Sequence, residues 1–111
     1  MSDAVDSTLV VDVTETVEGV MAAIEQNGYR SVVVVDEHQR VVGTASDGDL
    51  RKALLAHRVL STPVSQVMRR NCLKLAPEEI YQARALFERE HIFLIPVVDA
   101  QGRLLQVLKA Y

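Results

Sequence analysis

The chain carries one apolar pattern twice, and that repeat limits its folds more than any other feature. Val32-Val33-Val34-Val35-Asp36 leads through a polar turn to Arg40-Val41-Val42, and Ile95-Pro96-Val97-Val98-Asp99 leads through another to Arg103-Leu104-Leu105. The same 63 residues separate Asp36 from Asp99 and Arg40 from Arg103. Extended backwards without a gap, this register sets Glu15 on Glu78, Ala22 on Ala85 and Glu25 on Glu88. It also sets Val17 on Ile80, Ile24 on Phe87 and Val13 on Ala76. Identity is low, but apolar positions coincide over roughly forty residues, as expected of an internal structural repeat.

Each copy reads as strand, helix, strand, strand. In the first, Leu9–Val13 is a short β-branched run and so a strand. Thr14 or Thr16 caps the following helix, with Glu18 in its first turn. Val17, Val20, Met21, Ala23 and Ile24 form its apolar face, and Asn27-Gly28 ends it. Ser31–Val35 is an unbroken valine run, which predicts a strand buried on both faces. Asp36–Gln39 is a turn, and Arg40–Ala45 the next strand. In the second copy, Cys72–Leu75 is a strand and Pro77, with Glu78 and Glu79 behind it, opens a helix. Ile80, Ala83, Arg84, Phe87 and Ile92 mark its inner side, followed by strands Phe93–Val98 and Arg103–Leu108. Between the copies lie a helix over Asp47–His57 and a helical turn over Val64–Met68.

Neither copy alone buries both sides of its sheet, whereas two copies face to face do. The expectation is an α+β, sandwich-like fold: two βαββ(α) repeats, residues 1–60 and 61–111, packed about a pseudo-two-fold axis. At 111 residues, 49% of them apolar, the chain suffices for one such core.

The sharpest local motif is Gly43-Thr44-Ala45-Ser46-Asp47-Gly48-Asp49-Leu50-Arg51, where a strand ends and a helix begins. Ser46 with Asp49 three residues on has capping-box spacing. A helix N-terminus after a strand end also presents free N–H groups to an anion, and Arg51 one turn in adds charge-assisted bonds to phosphate. The motif alone leaves both the structural and the ligand-binding readings open.

Repeat and motif together resemble the cystathionine-β-synthase-type (CBS) domain family, specifically a tandem pair, or Bateman module. The run Gly43–Leu55 is similar to CBS pairs attached to sugar-phosphate enzymes, most of all to the pair preceding bacterial sugar-nucleotidyltransferase domains, and Pro63–Asn71 and the ending PVVDAQGRLL agree with that. The resemblance implies that Asp49 holds the ribose hydroxyls of an adenine nucleotide and that Ser46, beside Asp47, contacts phosphate or ribose. It implies an adenine cleft lined by Val11 and Val13 of the first strand and by Tyr29, Arg30, Ser31 and Val32 at the start of the second. Arg51 becomes a phosphate contact, and Arg69 or Arg70 weaker ones. The second copy departs from the pattern at Gln106–Tyr111: the motif's glycine is missing, Lys109 stands for Ser46, and the sequence stops before a counterpart of Asp49. One intact nucleotide site is therefore expected, in a chain cut from a longer protein or completed at its edge by another chain.

Remaining features carry little chemistry. A net charge of −3 and a pI of about 5.5 argue against nucleic-acid binding. The single cysteine, Cys72, forms no internal disulfide and reads as a half-buried packing residue. The acidic run Met1–Asp6 lacks the apolar core of a signal peptide, and no stretch approaches the roughly 20 apolar residues that cross a bilayer, so a cytoplasmic location is expected. His38, His57 and His91 lie too far apart in sequence to read as a metal site, Arg69-Arg70 reads as a solvated pair, Met21 and Met68 as packing residues, and Glu78 and Glu79 as helix-start charges. No nucleophile–base or acid–base pair is evident, so no catalysis is expected. The leading expectation is a regulatory module that binds AMP, ADP or ATP, needs no cofactor, dimerises and controls an attached enzyme domain. The alternative is a ligand-free scaffold that only dimerises a neighbouring enzyme.

Overall fold

A computed structural model describes residues 6–111. The reading of the N-terminal acidic run falls largely on residues 1–5, outside the described ones. Three strands form the first sheet in the order β1 (Val10–Asp12), β2 (Ser31–Val35), β3 (Val41–Ser46). The first pair is parallel and the second antiparallel. The second sheet pairs β4 (Leu94–Val98) with β5 (Leu104–Lys109), antiparallel. The helices are α1 (Val17–Asn27), α2 (Asp47–Leu55) and α3 (Ala83–Glu90), the last preceded by a 3-10 segment over Pro77–Gln82. The α+β expectation holds.

The 63-residue spacing reappears in three dimensions. It carries β2 onto β4 and β3 onto β5 end for end. Both hairpins shift register at equivalent places, between Val34 and Val35 and between Val97 and Val98. Gly28 and His91, which end α1 and α3, are both left-handed. Asp36 and Asp99 build the same turn: each side chain accepts from the N–H four residues on, at 2.9 Å. The two turns then meet. Val41 N–H donates to Gly102 O at 3.0 Å and Leu104 N–H to Gln39 O at 2.8 Å, bonds that exchange under the repeat. Arg40 faces Arg103 across them, which marks the pseudo-two-fold axis.

Alternation along β2 explains why the halves need each other. Val32 and Val34 pack with Val17, Val20, Ile24 and Leu50 of the first half's helices. Val33 and Val35 point the other way, into a core with Leu9, Val41 and, from the second half, Leu94. Leu75, Leu86 and Ile95 form the second half's own cluster.

Local caps sharpen the element bounds. The run expected as a strand over Leu9–Val13 is shorter because Asp6 accepts from Thr8 N–H at 2.9 Å and turns Ser7–Leu9 into a 3-10 segment. Thr16, rather than Thr14, caps α1, accepting from Gly19 N–H at 3.1 Å. Pro77 does start the second copy's helical segment, and Glu79 accepts from Ala76 N–H at 2.8 Å. Ala76 has no hydroxyl to return that bond, and regular α-helix begins only at Ala83. The strand expected over Cys72–Leu75 is corrected to one parallel bridge, Leu75 to Val97. Leu75 N–H reaches Pro96 O at 3.0 Å, but Pro96 has no N–H with which to extend the ladder.

Two outcomes test this account. Leu9→Ala removes a side chain from the core the halves share and costs about 3 kcal/mol. Urea unfolding followed by circular dichroism should shift as one transition; two separate transitions would mean the halves fold independently. The carboxyls of Asp36 and Asp99 are held below their ordinary value, foremost by the N–H groups of Arg40 and Arg103. Their folded pKa lies below the unfolded one, so their stabilisation is present above the unfolded value and lost as pH falls through the folded one. Asn at both positions keeps an acceptor but cannot titrate, and should flatten the decline of Tm below about pH 4.

Candidate ligand-binding site

The junction from β3 to α2 is built around Ser46. Its backbone is extended, and its hydroxyl accepts from Asp49 N–H at 3.2 Å. Asp49 Oδ2 in return accepts from Ser46 N–H and from Ser46 Oγ, both at 3.0 Å. The capping box suggested by the spacing is therefore complete, and it leaves Asp49 Oδ1 outside those bonds. Asp47 N–H donates to Arg30 O at 2.9 Å, which ties this helix end to the entry of β2, where Ser31 lies opposite Ser46.

Gly43 is required by a close approach. A Cβ there would stand 2.8 Å from Arg69 O and 2.9 Å from Met68 Sδ. The absence of a side chain lets Thr44 exchange backbone hydrogen bonds with Arg69, at 3.0 and 2.7 Å. That bridge brings the connection between the halves alongside the end of β3.

The result is a cavity of about 530 Å³, within the range of small-molecule sites. One wall is the β3–α2 junction, Ser46 to Asp49 with Arg51, next to Arg30 and Ser31. The opposite wall comes from the second half: Cys72 and Leu73, then His91, Ile92, Phe93 and Leu94. Arg30, Arg51 and Arg69 bring cations to it, and the Arg30 guanidinium stands 5.5 Å above the Phe93 ring centroid. Of the three acids that line it, Asp47, Asp49 and Glu90, Asp49 is engaged in the capping box and Glu90 pairs with Arg89 at 2.9 Å. Burial pushes the Cys72 thiol above its ordinary value, so it is no ready nucleophile.

Of the residues expected in the site, Ser46, Asp47, Asp49, Arg51, Arg30 and Ser31 line this cavity together. Val11, Val13, Tyr29 and Val32 do not. Val11, Val13 and Val32 belong to the core beneath α1, and Tyr29 packs into the shared core and against Tyr111. Of these four, only Tyr29 has its repeat counterpart, Ile92, in the cavity wall; beside it stand Phe93 and Leu94, the counterparts of Arg30 and Ser31, and Leu73 from the segment before Leu75. The pseudo-two-fold axis swaps the walls, so each motif end meets the partner half. The repeat spacing contained this signal. Arg69 lines the cavity, whereas Arg70 donates to Ser65 O. His91 is on the cavity wall, and among the described residues no group of three or more His, Cys, Asp or Glu is placed to hold a metal ion. No helix among them is long and apolar enough to cross a membrane.

Comparison with known proteins agrees with this architecture. The CBS domain family matches residues 2–56. Arabinose 5-phosphate isomerase GutQ of Salmonella typhi is 35% identical over 100 residues; the match takes in 89% of this chain and 31% of the isomerase. The chain thus spans about a third of the length of the curated relatives it matches. A CBS domain protein from Pyrobaculum aerophilum, solved in complex with AMP, superposes with a TM-score of 0.74 at 21% identity, covering 91% of this chain and 79% of that one. A CBS domain pair solved with 5′-methylthioadenosine and S-adenosyl-L-methionine gives 0.77 at 19% identity, covering 98% and 84%. Both likenesses, at that identity, speak for the fold. With the matched first half and a second half that repeats its strands in this fold, the chain belongs to the CBS domain family.

Proposed function

We propose that the chain is a regulatory module that binds an adenine nucleotide in the cavity between its halves and performs no chemistry itself. The observation that carries this is the cavity, which sets the Ser46–Arg51 helix start against the apolar wall of Leu73, Ile92, Phe93 and Leu94. The base lies on that wall, the ribose hydroxyls donate to Asp49 Oδ1, and the phosphate faces Arg51 and Arg69. AMP, methylthioadenosine and S-adenosyl-L-methionine, held by the two solved neighbours, share the adenosine part that this arrangement suits.

A ligand in this position touches both halves. Its binding energy therefore favours one relative placement of them, and an attached domain feels that as a coupling free energy. The relatives named as arabinose 5-phosphate isomerases favour a sugar-phosphate enzyme as the attached domain. They lend nothing to the narrower likeness to pairs preceding nucleotidyltransferases. One observation favours the scaffold reading: Asp49 already has a complete structural role in the capping box.

Calorimetric titration with AMP, ADP and ATP separates the two. Asp49→Asn retains an acceptor for Ser46 N–H but lacks the second carboxylate oxygen, so at least one nucleotide should bind the parent and bind the variant about tenfold more weakly, with Tm nearly unchanged. No saturable binding of any of the three, together with a dimer in light scattering, favours the scaffold. Phe93→Ala should weaken the same nucleotide about tenfold through lost stacking, while Val11→Ala lowers stability and leaves affinity alone. Equal effects of the two would place the base on the wrong wall. Gly43→Ala should displace the Arg69 segment, cost about 2 kcal/mol of stability and weaken the nucleotide; unchanged stability would refute the close-approach account.

A further inference from the structure

The repeat that builds the cavity also generates its image on the other side of the axis. There His91 and Ile92 become Gly28 and Tyr29, and Gly48 becomes Tyr111. This image position holds a side chain. The Tyr111 ring stacks on Tyr29, with centroids 4.9 Å apart and planes at 30°, and meets Phe93 edge-on at 6.2 Å. Its hydroxyl donates to Gly28 O at 3.0 Å, and the Tyr29 hydroxyl donates to the main-chain oxygen of Tyr111. Two cations flank the cluster: Lys109, in the place of Ser46, lies 5.6 Å from the Tyr29 centroid, and Arg30 lies over Phe93.

We propose that Tyr111 is an internal occupant of a second, quasi-equivalent half-site, standing where the planar base of an anionic ligand would stack on Tyr29. The inference rests on the nucleotide reading of the first site. Aromatic faces flanked by cations are what a base with a phosphate needs. The half-site offers stacking on Tyr29 and the ammonium of Lys109. Tyr111 is 67% exposed, clasped by its partners rather than buried, and so it is displaceable. An internal ring at effectively high local concentration keeps a weak ligand out. The chain then responds to one nucleotide although its fold offers two equivalent places.

Amide NMR titration with AMP of the parent chain, Tyr111→Ala and Tyr111→Phe tests this. In the parent, shifts are expected at Gly48–Arg51 and not at Gly28 and Tyr29. In Tyr111→Ala, Gly28 and Tyr29 should also shift saturably, with apparent affinity raised about tenfold or more by loss of the competing ring. Tyr111→Phe, which keeps the ring, should behave as the parent, and adding Lys109→Glu to Tyr111→Ala should abolish the new response. Shifts at Gly28 and Tyr29 of equal affinity in parent and Tyr111→Ala, or in neither, overturn the proposal. A flat response at Gly48–Arg51 in every protein overturns the first-site reading instead, and Gly28 and Tyr29 still decide this one.

Discussion

A strand apolar on both faces has to be covered twice, and the rest of this molecule follows from how β2 is covered. Five consecutive buried residues, Ser31 to Val35, leave it no solvent face. One side is closed by α1 and α2 of its own half. The other is closed by the second half, through a core in which Val33 and Val35 meet Leu94. Because the second half presents an equivalent strand with the same need, the economical solution is mutual, and the paired turns at Arg40 and Arg103 fix its symmetry. Burial here is non-directional, but the backbone bonds from Val41 to Gly102 and from Leu104 to Gln39 set the angle and register of the halves.

That docking encloses the cavity. The end of β3 and the start of α2 would face solvent in an isolated half. In the pair they face residues 71–73 and 91–94 of the other half. Pro96, buried behind this wall, shapes it indirectly. Its counterpart Val33 pairs with Val10 in the first sheet, whereas Pro96 cannot donate to the ladder, and Cys72 and Leu73 stay free of strand pairing to line the cavity. A second groove of about 510 Å³ beside Ile80, Ala83, Phe87 and Leu108 has the opposite origin. Their counterparts Val17, Val20, Ile24 and Ala45 are packed with Leu50 of α2, which shows how much of the first half's core that helix completes.

Much of this was legible in the residues. The 63-residue spacing gave the repeat, every expected strand except Cys72–Leu75, and the two-fold arrangement, because apolar periodicity reports burial directly. The Ser46-x-x-Asp49 spacing gave the cap. The cavity wall differs from the expected one because sequence shows which residues are equivalent, not which half each faces. Ile92, the counterpart of Tyr29, lines the cavity while Tyr29 does not, and Val11 and its bridge equivalent Leu75 are both core residues. The Gly43 requirement was present only as a motif letter, since its cause, the Arg69 carbonyl 2.8 Å from a notional Cβ, is a contact across 26 residues of chain. The contacts of Tyr111 had no sequence signal apart from the register that puts it on Gly48.

The capping box bears on how Asp49 acts toward a ligand. A carboxylate with one oxygen held by Ser46 N–H and Ser46 Oγ has little rotational freedom left. In the nucleotide reading, its other oxygen is already aimed when a ribose arrives, so ordering costs less on binding. The structural role and the ligand role therefore do not compete. The box that holds α2 to β3 is what preorganises the acceptor, and its dependence on Ser46 makes the serine a positioning residue for Asp49 even where its own hydroxyl never meets the ligand.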